Sequence, residues 1–114
     1  MDTKAAVECF AALSQETRLQ AFQLLVHHEP EGLAAGEIAK QLGVPHNTMS
    51  AHLSVLVRAE LVHSQRQSRS IIYRANVKRI QETIHFLAHD CCAGHPDICG
   101  LPSACQPQAK ETES

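Results

Sequence analysis

Of the five cysteines in this chain, four fall in its last quarter: Cys91, Cys92, Cys99 and Cys105. The first two are adjacent, and six residues that include Gly94 and Pro96 separate them from Cys99. Neighbouring cysteines put two sulfurs on adjacent vectors, and a Gly/Pro turn lets the chain double back with a third. Thiolates are soft ligands that select Cu(I), Zn or Cd over Mg or Ca. Trivalent arsenic and antimony are satisfied by three thiolates in a pyramid, whereas structural zinc takes four ligands in a tetrahedron. The spacing leaves both open, because Cys105, His89 or His95 can fill a fourth position. Two adjacent cysteines are strained partners for one disulfide, so a shared ion is the expectation for Cys91 and Cys92, with an oxidisable helix terminus as the alternative. Cys9, beside Phe10, reads as a small buried hydrophobe. Cys105, between Pro102 and Pro107, reads as a spare thiol or an extra ligand.

A second group of side chains has the chemistry to read base edges: His46, Asn47, Thr48 and Ser50. They open the second of two short amphipathic segments in GEIAKQLGVPHNTMSAHLSVLVRAELV, residues 36–62. Ile38 and Leu42 share one face, as do Met49, Leu53 and Leu56, so each segment has an apolar stripe to bury. Gly43 permits the positive φ that ends a helix, and Pro45 suits the first turn of the next. This is the pattern of a helix-turn-helix, in which packing the stripes together turns the polar face of the second helix outwards.

Charge is distributed to match. The net charge is −2 over 114 residues. Residues 1–43 hold three basic against six acidic residues, and residues 80–114 hold one against five. Residues 44–79 hold six (Arg58, Arg66, Arg69, Arg74, Lys78, Arg79) against Glu60 alone, so positive charge coincides with the candidate reader. No apolar run approaches the roughly 20 residues of a membrane span, and Lys4 and Glu8 interrupt any leader-like core, so a cytoplasmic protein is expected. In a reducing cytosol a cysteine cluster is more in keeping with metal binding or redox chemistry than with a disulfide framework. No phosphate-cradling glycine loop and no glycine-flanked serine nucleophile occur, which removes several enzyme classes.

The remaining elements must position these groups. Residues 3–13 read as a helix with Val7, Phe10, Ala6 and Leu13 on one face. Ser14 is the expected cap of a second helix with Leu19, Phe22, Leu25 and Val26 inward. His27 and His28 follow at its end, where a structural role is expected. From Leu61 to Ala75 an apolar pair, a polar turn with Arg66 and Arg69, and a β-branched stretch predict a two-stranded hairpin with a basic tip, a wing. His63 belongs to its first strand. Asn76 caps a last helix with a stripe of Val77, Ile80, Ile84 and Leu87. That stripe, like the one on the first helix, has no home in so small a domain, which predicts a dimer interface.

The order helix, helix, helix-turn-helix, wing, helix, with LSQETRLQAFQLL, EIAKQLGVPHNTMSAHLSVLVRAELV and IIYRAN at family spacing, resembles the ArsR/SmtB family of metal- and metalloid-responsive winged-helix repressors over about residues 3–90. The fold this implies is mainly α with a small β-hairpin, a winged helix-turn-helix that dimerises through its first and last helices. The resemblance further implies an operator-binding homodimer that lets go of DNA when an ion binds. By position, His46, Asn47, Thr48, Ser50 and Ala51 match the base-facing half of the recognition helix. His52, Arg66 and Arg69 match backbone contacts. Many arsenic-responsive members carry Cys-x-Cys in the first helix of the helix-turn-helix; here GLAAGEIAKQL has no cysteine. Zinc sensors of the family place Asp and His ligands on the last helix; here His85 and His89 lie four apart without the usual acidic pairing. Some arsenic-responsive relatives instead carry a vicinal Cys pair and a further Cys after the last helix, and this sequence looks like those.

The expected organisation is a DNA-binding and dimerisation domain over residues 1–90, a Cys-rich inducer segment over 91–105 and a disordered tail over 106–114. The expected function is an arsenite- or antimonite-responsive repressor with Cys91, Cys92 and Cys99 as ligands, Cys105 as an extra one, and no permanent cofactor. A zinc/cadmium-responsive or redox-sensing repressor of the same fold is the alternative. A thiol enzyme or metal carrier would leave the basic block and wing unexplained.

Overall fold

The computed structural model describes residues 1–91. Cys92, Cys99 and Cys105, the side chain of Cys91, and the 91–105 and 106–114 divisions therefore lie outside the described residues.

Helix α1, Thr3–Leu13, starts where the Asp2 carboxylate accepts from the Ala5 N–H at 2.8 Å. It turns Ala6, Cys9 and Ala12 inward. These small side chains let α1 lie close to its neighbours, and the larger Val7 and Phe10 stay exposed. Helix α2, Glu16–His27, is capped by Gln15, whose side chain accepts from the Arg18 N–H at 2.9 Å. Ser14 is not the cap. It still has helical φ/ψ at the end of α1, and its hydroxyl donates to Ala11 O at 2.7 Å; the extended backbone a cap needs first occurs at Gln15.

The buried side of α2 also differs from expectation: Phe22 and Leu25 are inward with Ala21, but Leu19 and Val26 are exposed. The reason is the line of the stripe. Ala21, Phe22 and Leu25 stand three, four and seven residues after Arg18, so an arginine heads the buried face and rotates it away from Leu19 and Val26.

Gly32, at φ +77°, turns the chain into the sheet; a Cβ there would lie 2.5 Å from Tyr73 O. The two-residue strand β1, Leu33–Ala34, follows, then α3, Ala35–Leu42, and α4, His46–Arg58. Gly43, at φ 68°, closes α3 with Val44 N–H donating to Ala39 O at 3.0 Å. Strands β2, Val62–Gln67, and β3, Ser70–Ala75, make the expected hairpin, with Arg66 opposite Ile71 and Gln67 opposite Ser70. The sheet is three-stranded in the order β1-β3-β2, because Leu33 and Ala34 pair antiparallel with Tyr73 and Ile72. Two residues offer no alternation to read, so β1 leaves no signature in the sequence.

Leu25, Ile38, Met49, Leu53, Leu56, Leu61 and Val62 are fully buried and form the centre of the core. Both stripes expected of the helix-turn-helix point there, although Leu42 is only half-buried. Helix α5, Val77–His85, is capped by Asn76 through the Arg79 N–H and continues as a π-helical turn over Phe86–Cys91. Thr83 and Ala88 face inward, Ile80 and Ile84 are half-buried, and Val77 and Leu87 at the two ends of the stripe are exposed. Among the described residues no helix is long and apolar enough to cross a membrane.

Candidate nucleic-acid interface

Burial of Met49, Leu53 and Leu56 fixes which way α4 faces. At about 3.6 residues per turn, the opposite side carries Asn47, Ala51, Ser54 and Arg58, with Thr48 beside them. All five are exposed, as is His46 in the first turn. Ser50 and His52 lie on opposite flanks and are half-buried. Asn47 Oδ1 accepts from the Thr48 N–H at 3.0 Å, and the Ser54 hydroxyl donates back to Ser50 O at 3.1 Å. The sequence pattern marks Arg58 only as part of the basic block and does not mark Ser54, yet both stand on the same outward face. Their spacing of seven and eleven residues from Asn47 is the signal that identifies them.

The wing is anchored at its base and free at its tip. Leu61 and Val62 are buried, the Asn76 N–H donates to Leu61 O at 2.8 Å, and Asn76 Nδ2 donates to Glu60 O at 2.8 Å. The rest of β2 is exposed, Ser68 makes the turn at φ 55°, and Arg66 and Arg69 are both in solvent.

The basic block is smaller as a surface than as a count of residues. Arg74 Nη2 pairs with Glu29 Oε1 at 3.1 Å, which ties β3 to the segment after α2. Arg79 Nε donates to Ala59 O at 3.3 Å. Arg58, Arg66, Arg69 and Lys78 are exposed and make no ion pair among the described residues. Of the six basic residues in 44–79, these four are the ones left exposed to phosphates.

Two ties brace α4 from behind. Ala59 O, at its C-terminal end, accepts from Arg79 of α5 and also from the Cys9 thiol of α1, the latter at 3.7 Å. Near its middle, His52 Nδ1 accepts from Arg18 Nη1 at 3.4 Å. The expectation that Cys9 packs as a small hydrophobe agrees with its complete burial.

Among the described residues no three His, Cys, Asp or Glu side chains come together as a metal site. The sequence-based ligand set of Cys91, Cys92, Cys99 and Cys105 falls where side chains are not described.

A family model described as a helix-turn-helix domain matches residues 13–65. The uncharacterized HTH-type transcriptional regulator YbzH of Bacillus subtilis is 30% identical over 93 residues, spanning 71% of this chain and 93% of that protein. The transcriptional repressor SdpR of the same organism is 28% identical over 89 residues, spanning 78% and 96%. Among solved structures, an ArsR-like transcriptional regulator from Rhodococcus sp. RHA1 superposes with a TM-score of 0.70 at 26% identity, covering 87% of this chain and 91% of that one. The homodimeric winged helix-turn-helix domain Mb0332 from Mycobacterium bovis gives 0.62 at 26% identity, covering 81% and 82%.

Proposed function

We propose, for a chain that belongs to the ArsR/SmtB family of winged-helix transcriptional regulators, that it is a cytoplasmic homodimeric repressor released from its operator by arsenite or antimonite. The observation that carries the DNA-binding half is the outward face of α4. Its apolar stripe is fully buried, which leaves His46, Asn47, Thr48 and Ala51 exposed, with Ser50 on the flank, for base edges. Arg66 and Arg69 on the wing, with His52, supply contacts to the DNA backbone. The exposed Val7, Phe10, Val77 and Leu87 on α1 and α5 supply the apolar surface for a second copy, as the homodimeric Mycobacterium bovis domain supports. Such a dimer holds its two reading helices about 34 Å apart, one DNA turn.

The inducer half rests on thiol chemistry and position. Cys91 is the last residue of the π-helical turn that continues α5, and in the sequence Cys92 follows it directly and Cys99 comes after six residues that include Gly94 and Pro96. These three thiolates suit a trivalent metalloid, and α3 carries no cysteine to compete. Ligation would reorganise the chain at the end of α5. Arg79 gives that helix a direct hold on the last turn of α4 through Ala59 O, so a shift of α5 reaches the reading helix. A coupling of about 1 to 3 kcal/mol weakens operator binding some 5- to 150-fold.

The test is a DNA mobility shift with arsenite, zinc and peroxide added separately. Release by arsenite in the wild type and retention by Cys92→Ser is the expected result. A Cys92→Ser protein that still leaves its operator on arsenite addition refutes the ligand assignment. Release by zinc alone, or by peroxide alone, replaces the metalloid reading with a zinc- or redox-responsive one.

A further inference from the structure

Arg18 occupies an unusual place: it heads the buried stripe of α2, where an apolar side chain would be expected. It is fixed at three points. Its N–H donates to Gln15 Oε1 at 2.9 Å, its Nε donates to Ala12 O at 2.6 Å, and its Nη1 contacts His52 Nδ1 at 3.4 Å. Ala12 O is one of the carbonyls that the end of α1 leaves without an intrahelical partner. The guanidinium fork therefore satisfies a helix end with one edge and reaches the reading helix with the other.

Arginine has donors only, so in this contact His52 Nδ1 is the acceptor and carries no proton. The proton of the ring is then on Nε2, on the side away from Arg18. His52 sits on the flank of α4, next to the outward face formed by Asn47, Ala51 and Ser54.

We propose that Arg18 is a positioning residue for DNA recognition, holding His52 in the Nε2–H tautomer so that the ring donates a hydrogen bond to a backbone phosphate. The proposal rests on the DNA-binding reading given above and adds to it a residue that is itself not in contact with DNA. It also explains why a charged side chain is kept on an otherwise apolar stripe. A planar fork is needed to serve Ala12 O and His52 at once, which the single ammonium of lysine cannot do in the same geometry.

Two measurements test it. Long-range 1H–15N spectra of the free wild-type protein are expected to show His52 as a single tautomer with an unprotonated Nδ1. In Arg18→Met, whose native signal is confirmed by its thermal unfolding, the same ring is expected to show a mixture. Arg18→Lys, which keeps the charge, is not expected to restore the single tautomer. A proton on Nδ1 in the wild type overturns the proposal with no variant needed, and so does an unchanged tautomer in Arg18→Met.

The second measurement uses a duplex selected by the wild-type protein from a random pool. Arg18→Met and His52→Ala are each expected to weaken binding roughly fivefold to tenfold, and the double variant to be no weaker than His52→Ala alone. The slope of log K against log salt is expected to stay at its wild-type value in both, since neither residue neutralises a phosphate. Additive losses, or a slope that falls by about one in Arg18→Met, would show Arg18 acting on DNA directly and overturn the proposal. If the wild-type protein selects no duplex, the DNA-binding reading fails and takes this role of Arg18 with it.

Discussion

At the scale of single residues, the cations and the polar side chains of the candidate interface have different work to do. Asn47 stands exposed in the first turn of α4, while Arg66 and Arg69 stand exposed at the tip of the wing, on the end of β2 and in the turn that follows it. Asn47→Ala is expected to flatten sequence preference at one operator position by about 1 to 3 kcal/mol. Arg66→Ala is expected to weaken all sequences alike and to lower the salt slope by about one. Competition between matched and mismatched duplexes across a salt series separates the two; a sequence-selective loss in Arg66→Ala would assign the wing to base reading instead. Sequence composition counted six basic residues in residues 44–79, but Arg74 is spent on Glu29 and Arg79 on Ala59 O. A count of charges is legible from sequence, and their partners are not.

At the scale of elements, helix ends carry much of the specification. Gly43 was legible as the end of α3 because glycine alone reaches positive φ without penalty. The end of α4 uses the same motif without glycine. Leu61 N–H donates to Leu56 O at 3.0 Å and Glu60 N–H to Val57 O at 2.9 Å, with Glu60 at φ 65° between them. A left-handed conformation costs a non-glycine residue about 1 to 2 kcal/mol, part of which glycine returns through its freer unfolded chain. Glu60→Gly is therefore expected to stabilise the fold by roughly 0.5 to 1 kcal/mol, read as a higher urea midpoint at unchanged slope. A lower midpoint would mean that Glu60 makes a contribution beyond its backbone. The same scale explains the errors at α2. Its hydrophobic period was readable, but the phase depended on Arg18 lying inward, and side-chain type alone assigns arginine to solvent.

At the scale of the whole molecule, the exposed apolar side chains of α1 and α5 are what one copy leaves unfinished. Val7 is 57% exposed and Leu87 41%, while the small residues Ala6, Cys9 and Ala12 make the intramolecular contacts of α1. Phe10→Glu is thus expected to leave the monomer folded and abolish the dimer by sedimentation equilibrium. Operator affinity is then expected to fall at least about a hundredfold, because each half-site binds without the effective concentration that the linked second reader supplies. A Phe10→Glu protein that stays dimeric with full affinity would exclude α1 from the interface. The sequence by itself determined the helix-turn-helix, the wing and the division of charge, because these are written in local periodicity, turn residues and composition. Tertiary structure alone decided the third strand, the inward turn of Arg18, its contact with His52 across 34 residues, and which cations remain free. Those depend on groups far apart in the chain meeting around one core, and no local pattern records which donor will find which acceptor there.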